Sequence, residues 1–377
     1  MLKSSNTEVV IFSGFNQRAV VAFIRTLEQK NIAYSIIAKS DEDSIFLSQY
    51  ASKVVSVRAS VKLDLDDIKN QLGKVAAKTG KQNFFLVPSA EAFNRFLLTN
   101  RTTLEALHCI IPLVDEPLYA SVSDKKSFGS LCNNHGITIP AEFQFNASLP
   151  LPLPLVAKPV SYFGANGSIS TPVLVADEAE WKNFLAAKNP SDFYYQQFIG
   201  GKSFYLLYYF SKNGQVTKMS QENLLQQHEG KSIIAAKSST LEHHPISGLY
   251  EKMLLSIGFF GLIMIELKEY QEKFYMIEAN PRLWGPSQLF VDAGTNFFEH
   301  LLYDYQLVER VEQNNNTKNH YYFWMGGLMD TIQQNKKPAF HNYNASTLTQ
   351  QLPELINCEV WRRPDTEKIF NSELLIQ

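Results

Sequence analysis

Leu262-Ile-Met-Ile-Glu266-Leu-Lys-Glu-Tyr-Gln-Glu-Lys-Phe-Tyr-Met-Ile-Glu278-Ala-Asn280-Pro-Arg282 is an apolar run, a polar turn and a second apolar run, with acids set inside both. Short runs joined this way read as two strands of a hairpin. The hairpin would bring Glu266 and Glu278 side by side, and Glu278 and Asn280, two apart, would share one face. Three oxygen ligands then converge. Two carboxylates on adjacent strands repel unless a cation lies between them, and a hard ion held by few protein oxygens, completed by phosphate oxygens and water, is how magnesium is usually bound. Arg282, on the same face, carries a fork of donors suited to a transferring phosphoryl group or a substrate carboxylate. A single strand glutamate is usually a solvated surface residue. Four such residues within apolar strands favour a site.

Upstream, the chain opens with a strand at 8–12, the loop Ser13-Gly-Phe-Asn-Gln-Arg18, a helix at 19–30 and a strand at 34–38. A second cycle runs through a strand at 53–57, a helix at 65–79 and a strand at 83–87. This alternation predicts a parallel sheet covered by helices, with ligands near the carboxyl ends of its strands, over residues 1–118. The first loop lacks GxGxxG, so a dinucleotide-binding oxidoreductase is the weakest option; Asn16 and Arg18 either cap and solvate the helix or reach a ligand. A new module starts at Asp124-Lys125-Lys126, a helix start, with Gly136 just past the helix end. Leu149-Pro-Leu-Pro-Leu-Pro-Leu is a stiff lead into the strand Val156-Ala-Lys158-Pro159. Tyr162-Phe-Gly-Ala-Asn-Gly-Ser-Ile-Ser reads as a hairpin loop, followed by strands at 173–175 and 194–199 flanking a helix at 177–187. Strands at 204–210, 215–219 and 232–236 and a helix at 246–257 lead to the hairpin quoted above. After the polar Gln313-Asn-Asn-Asn-Thr-Lys-Asn comes a tail with an aromatic strand near 320–324, in which no function is legible.

The 377 residues are 45% hydrophobic and 19% charged, which predicts a folded chain of two or three domains. Thirty-five Lys and Arg against 37 Asp and Glu leave a net charge of −2, so no global field draws the protein to nucleic acid or an anionic membrane. Any anionic ligand must be held locally. Three scattered cysteines without CxxC spacing argue against a disulfide framework and a zinc site, and fit a reducing cytoplasm. His228 and His243-His244 lack metal-ligand spacing and read as loop residues. The N-terminus lacks the apolar core of a signal peptide, and no stretch approaches the roughly 20 apolar residues that span a bilayer, so a soluble cytoplasmic protein is expected.

Taken together, residues 121–300 resemble the ATP-grasp superfamily of ligases, and the opening unit looks like the domain that precedes the grasp in these enzymes. The resemblance implies an α/β and α+β fold: a pre-ATP-grasp parallel-sheet domain (1–118), then an ATP-grasp fold (119–312) of two α+β subdomains, about 119–200 for nucleotide and 201–312 for metal and phosphate. Residues 313–377 form a C-terminal α+β tail. It also implies that Lys125 and Lys158 contact nucleotide, that Gly164, Gly167 and Ser168 form a mobile loop over the phosphates, and that Gln196, Gln197, Phe198 and Ile199 lie along the adenine. Glu266, Glu278 and Asn280 would hold magnesium or manganese, and Arg282 with Lys158 would meet the transferring phosphoryl group. Trp284-Gly285-Pro286-Ser287 is similar to a stretch of the carboxylate ligase and carbamoyl-phosphate-synthase-like branch that shapes the acceptor pocket, with Arg18 as a further pocket residue. The chain departs from many relatives in having Gln196 and Gln197 where they have Glu, and no acid after Gly201-Lys-Ser for the ribose.

The implied activity is ATP- and magnesium-dependent activation of a carboxylate as an acyl phosphate, joined to an amine to give an amide. Two readings compete. One is bicarbonate or carbamate activation, as in carboxylases and carbamoyl phosphate synthesis; the other is an ATP-binding regulatory protein without turnover. Small-molecule substrates are the expected partners, and a homodimer is the commonest assembly of soluble enzymes.

Overall fold

The computed structural model describes residues 6–145, 151–161, 171–312, 320–341 and 343–375. Gly164, Gly167 and Ser168 lie outside them. The first unit contains β1 (Thr7–Phe12), α1 (Gln17–Gln29), β2 (Tyr34–Ala38), β3 (Val54–Val57), α2 (Leu65–Thr79), β4 (Asn83–Leu86), α3 (Glu91–Thr99), α4 (Arg101–Ala106) and β5 (Cys109–Ile110). Its five strands are all parallel, in the order β3-β2-β1-β4-β5. β1 and β2 are buried throughout, as a sheet covered on both faces requires. Local chemistry sets the helix limits: the Asp64 side chain caps α2 at Asp67 N, Asp66 and Asp67 complement the dipole, and Gly80 ends it at φ 69°.

A short α5 (Glu116–Ser123) leads to α6 (Lys125–Asn134), capped by Asp124 through Ser127 N and ended by a turn in which Gly136 takes φ 72°. The cap places Lys125 in the first turn. A four-stranded antiparallel sheet, in the order β6-β9-β7-β8, then assembles from β6 (Glu142–Phe143), β7 (Leu155–Pro159), β8 (Val173–Val175) and β9 (Phe193–Gln197), with α7 (Glu178–Ala187) packed on it through Phe184.

The largest sheet is antiparallel, in the order β14-β13-β10-β11-β12-β15, with β16 joined to β11. It consists of β10 (Lys202–Phe210), β11 (Val216–Gln226), β12 (Ile233–Ser239), β13 (Gly261–Tyr270), β14 (Lys273–Asn280), β15 (Tyr321–Phe323) and β16 (Ala339–Phe340). α8 (Pro245–Ser256) covers one face, and α9 (Ser287–Asp292) and α10 (Phe297–Asp304) pack against α1. The C-terminal tail therefore enters this sheet: β15 pairs with β12, and β16 with β11. α11 (Met325–Gln333), α12 (Ala345–Asn357) and α13 (Glu367–Leu374) complete it. Arg25 of α1 ties the tail to the first unit, donating to both Asp365 oxygens at 2.7 and 3.1 Å, to Gln288, to Val360 O and to Thr366. Among the described residues no helix is long and apolar enough to cross a membrane.

Candidate active site

The β13–β14 hairpin turns at Gln271 and Glu272, both at positive φ, and sets Glu266 directly opposite Glu278. Tyr205 of β10 continues the row, and Asn280 sits opposite Met264. Glu278 and Met276 are also two residues apart and would share a face in a regular strand. They do not, because the ladder pairs Glu266 with Glu278 but Leu267 with Met276, leaving Ile277 as the extra residue of a β-bulge. The bulge turns Met276 into the apolar core beside Leu267 while Glu278 faces the cleft. It also frees the Ile277 carbonyl, which accepts a hydrogen bond from Lys158 Nζ at 2.9 Å. That bond joins the small sheet to the large one.

Around this row the charges are unevenly satisfied. Glu278 is ion-paired with Lys125, and its Oε1 accepts from Asn280 Nδ2 at 2.8 Å. Burial raises the Glu278 carboxyl, but Lys125, the Asn280 amide and Lys158 outweigh it and hold it below the usual carboxylate range. Glu266 is 7% exposed, and among the described residues it accepts no hydrogen bond. Burial, with Glu278 nearby, pushes its carboxyl above the usual range despite Lys268, Lys125 and Lys158. Burial and the neighbouring Lys125 lower the Lys158 ammonium to about 8. Arg282 donates through Nη2 to Asn280 Oδ1 at 3.1 Å and through Nη1 to Leu283 O at 3.0 Å, while its Nε is buried without a partner.

These side chains open onto a cleft of about 580 Å³ lined by Glu266, Glu278, Asn280 and Arg282, by Phe15, Asn16 and Arg18, by residues 230–233, and by Trp284 and Gly285. Arg18 is positioned by the tail and by β12: it donates to Tyr322 Oη at 2.7 Å and Ile233 O at 3.2 Å, and lies 3.6 Å over the Trp324 ring. A Cβ on Gly285 would sit 3.1 Å from the Arg18 guanidinium. Trp284 is only 1% exposed and packs against Phe290 and Phe297. Ser287 is fully buried, bonded to Trp284 O, and is absent from the cleft lining.

On the small sheet, Gln196 is buried and donates to Glu142 at 3.2 Å, with its own Oε1 left without a partner. Gln197 is exposed, Phe198 is 40% exposed and Ile199 is buried. Sequence reasoning missed Tyr205, Lys268 and the 230–233 stretch. Lys268 was within reach, since alternation from Glu266 puts it on the same face. Its ammonium meets His341 Nδ1 at 3.2 Å. Glu142 and Tyr194, whose hydroxyl is buried without a partner, carry no sequence signal.

Two carboxylates and an amide oxygen suit a hard divalent cation whose remaining ligands come from phosphate and water. Among the described residues no three His, Cys, Asp or Glu side chains form a metal cluster alone. The unpartnered Glu266 carboxylate facing Glu278 fits such an ion.

No family model and no curated protein matches the chain. Solved structures do. The biotin carboxylase domain dimer of Hydrogenobacter thermophilus 2-oxoglutarate carboxylase, in complex with MgADP and bicarbonate, superposes with TM-score 0.60 at 12% identity, over 83% of this chain and 73% of that one. The L-amino acid ligase of Bacillus licheniformis gives 0.58 at 17%, over 84% and 79%. Rhizobium etli pyruvate carboxylase gives 0.59 at 15%, over 80% of this chain but only 28% of that longer one. The shared feature is the fold: the chain has the ATP-grasp fold, preceded by a parallel five-stranded sheet.

Proposed function

We propose that this ATP-grasp chain is an ATP- and magnesium-dependent ligase that activates a carboxylate and joins it to an amine. The observation that carries the reading is Glu266 facing Glu278 across the hairpin, with Asn280, Lys125, Lys158 and Arg282 around them and a cleft onto which Glu266, Glu278, Asn280 and Arg282 open. Glu266, Glu278 and Asn280 would hold the cation, which when bound screens the phosphate charge. Lys125 now sits on the Glu278 carboxylate and would exchange it for nucleotide phosphate. Lys158, anchored on Ile277 O, and Arg282, with its free Nε, would neutralise charge on the transferring oxygens. The substrate carboxylate oxygen attacks the γ-phosphorus and releases ADP; the amine then attacks the acyl carbon, and phosphate leaves carrying the proton that the amine nitrogen gives up. The protein aligns these groups and supplies no covalent nucleophile. Gln196, Gln197, Phe198 and Ile199 would line the adenine slot, and Gly164, Gly167 and Ser168 would cover the phosphates. Arg18, Trp284 and Gly285 would shape the acceptor end, while Ser287 supports that segment from beneath. A cytoplasmic enzyme of small molecules, assembled as a homodimer, fits this role.

ADP release with amino acids and small carboxylates, singly and in pairs, tests the reading. A response that needs two organic substrates supports amide ligation. The bicarbonate in the Hydrogenobacter complex favours one alternative, and ADP release with bicarbonate and one organic substrate would select it. Nucleotide binding without ADP release under any pairing would select a regulatory protein.

A further inference from the structure

We propose that Arg58 and Lys39 form a recessed anion site behind Phe15 that takes a second charged group of the organic substrate, a carboxylate or a phosphate. The inference rests on the ligase reading above and names the class of its substrate. Arg58 follows β3 and Lys39 follows β2, so both stand at the carboxyl edge of the parallel sheet, where ligands of such sheets bind. Arg58 is 5% exposed, and its Nε, Nη1 and Nη2 are all buried without a hydrogen-bond partner among the described residues. A guanidinium buried this way is costly unless its N–H groups find an acceptor.

The nearest acids, Asp67 and Asp43, act on the guanidinium only through space, and neither gives its N–H groups an oxygen to donate to. Asp43 accepts from Ser13 Oγ at 2.7 Å and from the Lys39 and Ile45 amides at 3.0 Å. Asp67 accepts from Ala59 N at 3.1 Å and Gln71 Nε2 at 2.6 Å. Arg58 instead meets the Phe15 ring, its Cζ 4.9 Å from the centroid, and Lys39 Nζ approaches the same ring at 5.6 Å. An aromatic face is a weak substitute for an anion. Phe15 also lines the cleft, whose wall includes neither Arg58 nor Lys39, so the ring borders both the open site and the two cations. The loop that carries it is fixed by Gly14, at φ 76°, where a Cβ would lie 2.4 Å from Lys39 Cβ. Asn16, the residue before α1, donates its amide to Leu283 O at 2.8 Å and leaves the helix without a side-chain cap, so the α1 N-terminus adds to the same positive edge. An anionic substrate group that turns Phe15 aside would gain both cations.

The test titrates the full chain with phosphate, succinate and acetate by calorimetry, with the nucleotide site saturated by magnesium and an imido analogue of ATP. Phosphate or succinate should bind more tightly than acetate, and whichever of the two binds more tightly identifies the group. Arg58→Gln and Lys39→Met should each weaken that binding by about tenfold or more, with analogue affinity changed less than about threefold. Lys39→Met keeps the test alive if Arg58→Gln fails to fold. Absence of binding by all three anions, or unchanged binding in a folded variant, overturns the proposal. Failure of the wild-type chain to bind the analogue overturns the ligase reading instead, and the anion titration of the free protein then stands alone.

Discussion

Lys158 donates to the carbonyl of Ile277, the residue that the β-bulge leaves outside the β13–β14 ladder. One local irregularity thus turns Glu278 into the cleft, sends Met276 to the core and supplies the acceptor that fixes a cation from the opposite sheet. The two sheets of the grasp are linked where the proposed chemistry would occur.

Glu266→Gln and Glu278→Gln should each lower ATP turnover by about a hundredfold or more, the scale of losing a principal charge partner of the phosphates. Their stabilities should diverge. Glu266→Gln removes a buried carboxylate with no hydrogen-bond donor and should hold or raise the melting temperature; Glu278→Gln leaves Lys125 and Lys158 facing each other and should lower it. Equal melting shifts would contradict the asymmetry between the two acids.

Nucleotide affinity should depend on Lys158. Its folded pKa of about 8 lies below its ordinary 10.5, so its contribution to stability is complete above 10.5 and is lost as pH falls through 8. The charged form is the one that phosphate favours. Analogue binding should therefore take up a proton near pH 8 and weaken as pH rises above it, and Lys158→Arg should flatten that decline. Calorimetry in buffers of different ionisation enthalpy measures the uptake directly.

Arg25→Ala should cost about 3 kcal/mol, because it strands Asp365 of the tail with only Tyr50 and, at 3.4 Å, the Thr366 hydroxyl still donating to it. The midpoint of denaturant unfolding reads this loss. An unchanged midpoint would mean that the tail does not depend on this pair.

Gly201→Ala should destabilise by about 1–3 kcal/mol, since φ is 91° and a Cβ would lie 2.2 Å from Glu269 O. The strain falls between β9 and β10, so nucleotide affinity should fall along with the melting temperature. A variant as stable as wild type would show that this backbone relaxes.

The amino-acid sequence determined the elements and the acidic hairpin. Apolar runs of strand length, the Asp64 and Asp124 caps, and the glycines at 80 and 136 are local signals, because capping and φ > 0 are decided within a few residues. The facing of Glu266 and Glu278 followed from a short turn, which fixes register. Tertiary structure alone decided the rest. The bulge at Ile277 yields to Lys158 and to the core around Met276, both distant in sequence. Ser287 reads as a pocket residue by motif but is buried by packing around Trp284. The tail, silent in sequence, becomes legible only when Tyr322 and Trp324 hold Arg18 at the cleft. Arg58, an ordinary charge in the chain, becomes a buried cation without a hydrogen-bond partner only when the fold packs it at the end of β3 against Phe15, because burial and pairing depend on neighbours that local sequence does not name.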